Sequence, residues 1–250
     1  MIKDILVAAP LYPPEIGGPA TYVRMLEEHL PAEGFSLTVV PFAQVRSHPK
    51  VLRHLAYVFL LLRQSKGKDM IYALDPVSVG VPAYLVSALT RKPLWVRLGG
   101  DYAWEQGQQR FSLTTSLDAY TADKTQATLP VRVLAFVQGF VTRQAGQVIV
   151  PSAYMKQIVE TWGVAQSKLA VVYSALEPLP VPLDKKDYRR TFGFTGPVVL
   201  SAGRLVPWKG FSALISAVQG LREQYPDIQL YIAGDGPQKG ELHEQIAHAG

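Results

Sequence analysis

The chain has 250 residues, of which 48% are apolar and 18% are charged, and its formal net charge is +5 at pH 7. This composition supplies a packed core and excludes an intrinsically disordered chain, and the absence of cysteine excludes disulfides and cysteine-based zinc sites. No apolar run reaches the roughly 18 residues of a transmembrane helix, and no basic run interleaved with aromatic residues indicates nucleic-acid binding.

The N-terminal segment alternates an apolar run of strand length with an amphipathic stretch. Residues 5–9 are apolar and end at Pro10, which predicts a buried strand. A loop at 15–20 follows, and Thr21 is placed to cap a helix with apolar residues on one face. Residues 37–41 predict a second strand, so this segment is interpreted as a βαβ unit.

The same alternation continues to residue 173. Further strands are predicted at 70–74, 94–98, 147–150 and 169–173, and helices at 51–63, 79–89, 131–144 and 153–162, the last capped by Ser152. The polar and weakly periodic residues 105–130 are predicted to form a loop. This pattern is typical of a Rossmann-like α/β domain with a parallel sheet, to which we assign residues 1–176.

A change of composition marks the end of this domain. The proline-rich run 177–182 and the charged segment 184–190 predict an interdomain linker over 177–196. A new series follows, with strands at 197–201 and 228–233 and helices at 211–221 and 240–249. Two βα units cannot cover both faces of a parallel sheet, so we expect 197–250 to be the start of a second Rossmann-like domain that is cut short.

Two loops of the first domain follow predicted strands, where α/β sheets bind ligands. Gly17 and Gly18 precede a helix, an arrangement that suits close approach of a phosphate, although a tight turn with nothing bound explains them as well. Asp101 follows paired glycines and precedes aromatic residues, which suits sugar binding or acid–base chemistry. Because Asp and Gly are also ordinary turn residues, a capped turn is the alternative at this loop.

Two loops of the second domain occupy the same kind of position. Arg204 and Lys209 lie between a strand and a helix, and two cations there are what a diphosphate leaving group needs. The alternative is a surface arginine and a lysine at a helix start, although the helix dipole disfavours such a lysine. The glycines of loop 234–237 give a weak dinucleotide-binding pattern, because a proline is unusual there and no acidic ribose partner follows.

The remaining features of the sequence give weaker indications of ligand, location and partners. The five histidines show no spacing typical of metal ligands, so no metal site is predicted. Asp4 lies directly before the short first apolar run and argues against a signal peptide, so none is predicted and we expect a cytoplasmic protein. The positive charge suits a nucleotide or a phospholipid surface, or reflects ordinary surface scatter. We interpret the very apolar segment 55–62 as a helix packed on the sheet, with peripheral contact to the inner face of the membrane as the alternative.

Several motifs together resemble family 4 glycosyltransferases. Gly-Arg-Leu-x-x-x-Lys-Gly occupies 203–210, and Ile-Ala-Gly-Asp-Gly-Pro follows at 232–237. In the first domain, the loop 13–21 and the segment 148–173 resemble the corresponding parts of that family. The likeness spans essentially the whole chain, with its motifs in the correct order.

This resemblance implies a GT-B fold, in which two Rossmann-like domains face each other across a cleft. It implies transfer of a sugar, with retention, from a nucleotide-diphosphate donor to a glycan or lipid-linked acceptor. No metal and no cofactor are implied, because the nucleotide sugar is a substrate. Carried onto this chain, Arg204 and Lys209 hold the donor pyrophosphate, Gly17 and Gly18 lie near the phosphates and acceptor, and Asp101 lies beside the acceptor as the catalytic residue.

Three departures from the family pattern accompany the likeness. No histidine precedes or replaces Gly99 and Gly100, which bears on the role of Asp101. Ser174 stands where many members have asparagine. The Glu-x7-Glu motif of the family would lie beyond residue 250, so we expect a C-terminally truncated form.

Other functions remain open at this point. The chosen interpretation is a glycosyltransferase, and the main alternative is a non-catalytic short form that binds sugar or a partner subunit. A GT-B epimerase is a further alternative, and a nicotinamide-dependent enzyme is the least favoured. No nucleic-acid partner is expected.

Overall fold

The computed structural model describes residues 2–175 and 184–249. Internal contacts divide the chain into two compact units, Met1–Ala175 and Leu176–Gly250. The proline-rich part of the predicted linker, residues 177–182, lies outside the described residues. The two units are described separately.

Unit 1 is built on a six-stranded, entirely parallel sheet. Its strands are β1 (Asp4–Ala9), β2 (Ser36–Pro41), β3 (Met70–Ala73), β4 (Leu94–Arg97), β5 (Gln147–Val150) and β6 (Leu169–Val171), arranged in the order β2-β1-β3-β4-β5-β6. Strand β1 lies between β2 and β3 and places Val7 opposite Val39 on one side and Tyr72 on the other. Since β1 and β3 are buried on both faces, they are almost continuously apolar, as the sequence predicts.

Seven α-helices accompany this sheet. They are α1 (Gly18–His29), α2 (Lys50–Gln64), α3 (Gly80–Thr90), α4 (Tyr102–Arg110), α5 (Leu117–Ala122), α6 (Leu129–Gln144) and α7 (Ala153–Glu160). Successive side chains of β1 enter different cores, as the two-residue period of a strand requires. Leu6 and Ala8 join the core beneath α2, α3, α6 and α7, whereas Val7 joins the core beneath α1.

Two local predictions in unit 1 are wrong, and one is confirmed. Thr21 does not cap α1, because the helix already begins at Gly18 with Gly17 as its cap and with Pro19, which has no N–H to leave unbonded, in its first turn. Residues 105–130 are not a plain loop, since they contain α5 and the ends of its two neighbours, packed through Tyr120. Ser152 does cap α7, with its Oγ accepting from the Met155 N–H at 3.1 Å.

The described residues of unit 2 form a two-stranded parallel sheet and three α-helices. Its elements are α8 (Lys185–Thr191), β7 (Val198–Ala202), α9 (Phe211–Leu221), β8 (Gln229–Ala233) and α10 (Lys239–Ala249). Helix α8 lies within the predicted linker, where the density of charge concealed a helix that Asp184 caps through the Lys186 N–H at 2.7 Å. The core is small, and Leu200 on β7 remains 72% exposed.

No helix within residues 2–175 and 184–249 is both long enough and apolar enough to cross a bilayer. Helix α2 instead packs on the sheet through Tyr57 and Leu61, as the favoured interpretation of segment 55–62 predicts. The opposite side of α2 is not covered by the sheet, and Leu55 and Phe59 are exposed there.

Candidate functional site

The loop after β1 is held firmly before it enters α1. The Arg46 guanidinium pairs with the Glu15 carboxylate and donates to the Pro10 carbonyl at 3.3 Å. The Glu15 carboxylate also accepts from the Tyr12 N–H at 3.2 Å, and the Tyr12 hydroxyl donates to Glu27 at 3.0 Å. These contacts fix the loop that leads to the paired glycines.

The two glycines at the start of α1 have different surroundings. A Cβ added to Gly17 would lie 2.9 Å from Leu11 Cδ1, so a larger residue there requires a shift of that side chain. A Cβ added to Gly18 would meet nothing within 4 Å, and Gly18 is exposed. The open position at the helix N-terminus is therefore Gly18, where the positive end of the helix dipole favours an anion.

Asp101 is a buried helix cap at the carboxyl end of β4. Its side chain is 1% exposed, and Oδ1 accepts from the Trp104 N–H at 3.0 Å and from Gln138 Nε2 at 2.8 Å. Burial raises the pKa of Asp101, although these hydrogen bonds favour its charged form. Among the described atoms, Asp101 Oδ2 and the Tyr120 hydroxyl are buried without hydrogen-bond partners.

This geometry shows that Asp101 has a structural role as a helix cap. It corresponds to the capped turn that the sequence analysis gave as the alternative at this loop. The carboxylate ties α4 to α6, because Trp104 belongs to the first helix and Gln138 to the second. The catalytic role that the family resemblance implies for Asp101 stays a prediction.

Arg97 is a residue at this edge that the sequence reasoning missed. It ends β4 and is only 9% exposed. The guanidinium carbon lies 3.8 Å from the centroid of the Tyr22 ring, and Nη2 donates to Ser174 Oγ at 3.0 Å. Its Nε is buried without a hydrogen-bond partner, and no carboxylate pairs with it in the described part of the chain.

A cation taken out of water without a counter-charge is costly, so Arg97 is suited to receive an anionic group. Tyr22, which stacks on Arg97, also exchanges a hydrogen bond of 3.0 Å with the Tyr72 hydroxyl. The available signal was the single arginine inside the otherwise apolar run 94–98. Its partners come from distant parts of the chain, and sequence spacing does not reveal them.

Arg204 and Lys209 lie on the loop between β7 and α9, and both are exposed. Lys209 ends a short 3-10 turn, Pro207–Lys209, and Gly210 caps the helix with a φ of 71°. Lys209 thus precedes α9 instead of lying in its first turn. Neither Arg204 nor Lys209 has an ion-pair partner within the described ranges, so both charges are available to a ligand.

Glycines allow the two loops of unit 2 to pack backbone against backbone. A Cβ on Gly234 would lie 1.9 Å from the Gly203 carbonyl oxygen, and a Cβ on Gly236 would lie 2.4 Å from that of Leu205. The Leu205 N–H donates to the Asp235 carbonyl at 3.0 Å. The Gly-Asp-Gly-Pro motif therefore fixes the loop that carries Arg204, a packing role that its weak dinucleotide-binding pattern did not suggest.

The described residues contain no group of three or more His, Asp or Glu side chains that could hold a metal ion. The candidate site residues therefore fall into two sets, each described within its own unit. Gly17, Gly18, Arg97 and Asp101 belong to the carboxyl edge of the sheet in unit 1, and Arg204 and Lys209 to that of unit 2.

Comparison with known proteins matches residues 184–250 to the family described as Glycosyl transferases group 1. The chain is 27% identical over 182 residues to the 2-deoxystreptamine glucosyltransferase of Streptomyces kanamyceticus, covering 68% of this chain and 46% of that protein. It is 24% identical over 252 residues to the uncharacterized glycosyltransferase YqgM of Bacillus subtilis strain 168, covering 98% of this chain and 63% of that protein. The chain thus spans about half the length of these curated relatives.

Among solved structures, Anabaena HepE in complex with UDP and glucose matches with a TM-score of 0.66 and 19% sequence identity, over 100% of this chain and 67% of that chain. This likeness confirms the predicted fold class, an α/β fold of GT-B type with a parallel sheet. Residues 184–250, which match the glycosyl transferases group 1 family, include Arg204 and Lys209.

Proposed function

We propose that this chain is part of a family 4 glycosyltransferase, which transfers a sugar with retention from a nucleotide-diphosphate donor to a glycan or lipid-linked acceptor. The observation that carries the proposal is the loop of unit 2 that presents Arg204 and Lys209, exposed and without ion-pair partners in the described ranges. The group 1 match includes this loop, and the similar Anabaena structure contains UDP and glucose.

The chemistry asked of the two cations is stabilisation of the leaving group. As the bond from the anomeric carbon to the diphosphate oxygen breaks, negative charge develops on the diphosphate, and fixed cations stabilise that charge. Arg204 offers a planar fork of donors to phosphate oxygens, whereas Lys209 offers a compact charge. Both groups act in one place because the close packing of Gly203, Gly234 and Leu205 fixes the loop.

The acceptor hydroxyl attacks the same face of the sugar from which the diphosphate departs. Its oxygen forms the new glycosidic bond, and its proton passes to the departing phosphate oxygen, so the products are the glycosylated acceptor and a nucleoside diphosphate. In this scheme Gly17 and Gly18 approach the phosphates and acceptor, and Asp101 lies beside the acceptor as the catalytic residue, with its carboxylate held by the Trp104 N–H and Gln138. A lipid-linked acceptor places the reaction at the inner face of a membrane, where this chain makes peripheral contact.

The proposal is tested by measuring UDP binding and sugar transfer from UDP-sugars. The 250-residue chain is assayed beside a version extended at its C-terminus with sequence taken from one of the longer relatives. We expect UDP to bind, the extended version to transfer sugar, and the product to keep the anomeric configuration of the donor, read by NMR. Inversion would overturn the retaining mechanism, and sugar or partner binding without turnover in both versions would favour the non-catalytic alternative.

A further inference from the structure

The positive charge of the chain is concentrated in unit 1. Residues 1–175 contain 17 Lys and Arg against 12 Asp and Glu, whereas residues 176–250 contain 8 of each, so the whole excess of +5 belongs to the first unit. Within unit 1, Asp and Glu are absent from residues 34–68, 76–100 and 124–159. These three stretches contain helices α2, α3 and α6 completely.

These same helices form one layer over the sheet. Tyr57 and Leu61 of α2, Val86 of α3 and Val141 of α6 all belong to one buried cluster. Helix α2 packs against α3, and α3 packs against α6. Their remaining sides therefore form the outer surface of this layer.

That outer surface is unusually apolar. Eight large apolar side chains of the three helices are between 43% and 73% exposed: Leu52, Leu55 and Phe59 of α2, Leu85 and Leu89 of α3, and Leu129, Val133 and Phe136 of α6. We call these eight residues the apolar face. Within each helix they recur every three or four residues, so each helix carries a second apolar stripe besides its buried one.

Aromatic contacts connect the buried and the outer sides of this layer. The Tyr84 and Phe140 rings meet edge to face, with centroids 5.2 Å apart, and join α3 to α6. Phe140 in turn lies 6.4 Å from Phe136, whose ring is nearly parallel to it and belongs to the apolar face. The exposed side chain of Phe136 is thus packed against the half-buried Phe140 of the same layer.

Basic residues adjoin the apolar face along the chain. Arg63 follows Phe59 by one helical turn, Arg132 lies beside Val133, and Arg91 directly follows α3. These three arginines and Lys66 are exposed, and none has an ion-pair partner in the described portion of the chain. We call the four residues the basic rim.

We propose that the apolar face and the basic rim form a docking surface for an anionic phospholipid bilayer. The apolar side chains enter the boundary between headgroups and acyl chains, and the rim contacts the anionic headgroups. A second copy of the chain is a poor occupant, since a two-fold contact would bring basic rims together with no acid in these helices to pair with them. This inference rests on the proposed function, because the docking surface explains how the chain reaches a lipid-linked acceptor.

Vesicle co-sedimentation tests this surface. The 250-residue chain is mixed with vesicles of phosphatidylcholine alone and with vesicles of equimolar phosphatidylcholine and phosphatidylglycerol. We expect binding to the second kind only, with a loss of binding as salt is added. The double variant Phe59→Ser/Phe136→Ser should partition at least about tenfold less, because two large apolar side chains no longer enter the bilayer.

Matched variants distinguish the surface from general stickiness. Phe192→Ser removes a comparably exposed phenylalanine from unit 2 and should leave binding unchanged. Arg63→Gln/Arg132→Gln should weaken binding about fivefold or more, while Lys185→Gln/Lys186→Gln on α8 should not. Circular dichroism and thermal unfolding confirm that each variant is folded, which is expected since the altered side chains are exposed.

Three outcomes overturn the proposal. The wild type stays in the supernatant with anionic vesicles, or Phe59→Ser/Phe136→Ser binds as the wild type does. In the third, light scattering without lipid shows an oligomer that Phe59→Ser/Phe136→Ser dissociates, which makes the face a protein interface. Since vesicle binding requires no donor, a chain that binds vesicles but not UDP contradicts the proposed function alone, and the reverse result contradicts only the docking surface.

Discussion

At the scale of single residues, the proposed donor site depends on two charges. We predict that Arg204→Ala and Lys209→Ala each weaken UDP binding by about 10- to 100-fold, because each removes a charge-assisted hydrogen bond worth about 1.5–3 kcal/mol. The two residues are exposed, so the fold should be unaffected. Isothermal titration with UDP measures the change in Kd.

The control for this pair is Lys186→Ala, which removes the same charge from an exposed position on α8. It should bind UDP as the wild type does. If all three variants bind UDP with one affinity, Arg204 and Lys209 have no part in holding the donor diphosphate.

The buried carboxyl group of Asp101 makes the stability of the fold depend on pH. Burial raises its pKa above the ordinary value of 3.8, so between 3.8 and the folded-state pKa the folded chain binds more protons than the unfolded one. The contribution of Asp101 to stability is therefore greatest at or below pH 3.8 and is lost as pH rises through the folded-state pKa. We predict that the wild type loses stability relative to Asp101→Asn along that rise, measured by urea unfolding at several pH values.

The asparagine variant suits this comparison because its amide oxygen can still accept from the Trp104 N–H and Gln138. Asp75 also has a pKa raised by burial, and it is common to both proteins, so its effect cancels in the difference. A difference that is constant over this pH range would mean that Asp101 does not change its protonation on folding. Asp101→Ala removes the cap as well, so it should be about 1–2 kcal/mol less stable than Asp101→Asn at any pH.

At the scale of elements, the turn after β8 determines where the turn after β7 lies. Gly234→Ala would place a methyl group 1.9 Å from the Gly203 carbonyl oxygen, so the two backbones must separate. We predict a loss of about 1–3 kcal/mol in the free energy of unfolding and weaker UDP binding, since the loop of Arg204 moves. Urea unfolding and UDP titration measure the two effects.

Gly240→Ala is the matched control, because an added Cβ there meets nothing within 4 Å and α10 gains a better helix former. It should leave UDP binding unchanged and stability equal or slightly higher. Equal behaviour of the two alanine variants would show that the close contact between the turns is relieved without cost.

The elements themselves were largely predictable from the sequence, and the exceptions have physical reasons. The strands of unit 1 appear as short apolar runs because both faces of a parallel sheet are covered. Helix α8 and helix α5 were missed because α8 is densely charged and α5 is a single short segment anchored mainly by Tyr120. The prediction that Thr21 caps α1 was wrong because Pro19, two residues earlier, already suits the first turn of a helix.

At the scale of the whole molecule, the candidate site was only partly predictable. Motif spacing indicated Arg204 and Lys209, since their loop directly follows a strand in the sequence. It did not reveal that Asp101 is a buried cap, because Gln138, which binds its carboxylate, lies 37 residues further on. Arg97 was missed for the same reason, since Ser174 lies 77 residues beyond it. Contacts of this kind depend on the assembled fold and not on local pattern.

The two units differ in how much they bury, and this predicts different stabilities. Five of the six residues of β1 are buried, whereas β7 and β8 contain no fully buried residue. Because amide protection is limited by the free energy of local opening, we predict faster hydrogen exchange in β7 and β8 than in β1 and β3, measured by mass spectrometry. Saturating UDP should slow exchange around Arg204 and leave β1 unchanged. If β7 and β8 exchanged as slowly as β1 without ligand, the small core of unit 2 would be sufficient alone, and this account of its stability would be wrong.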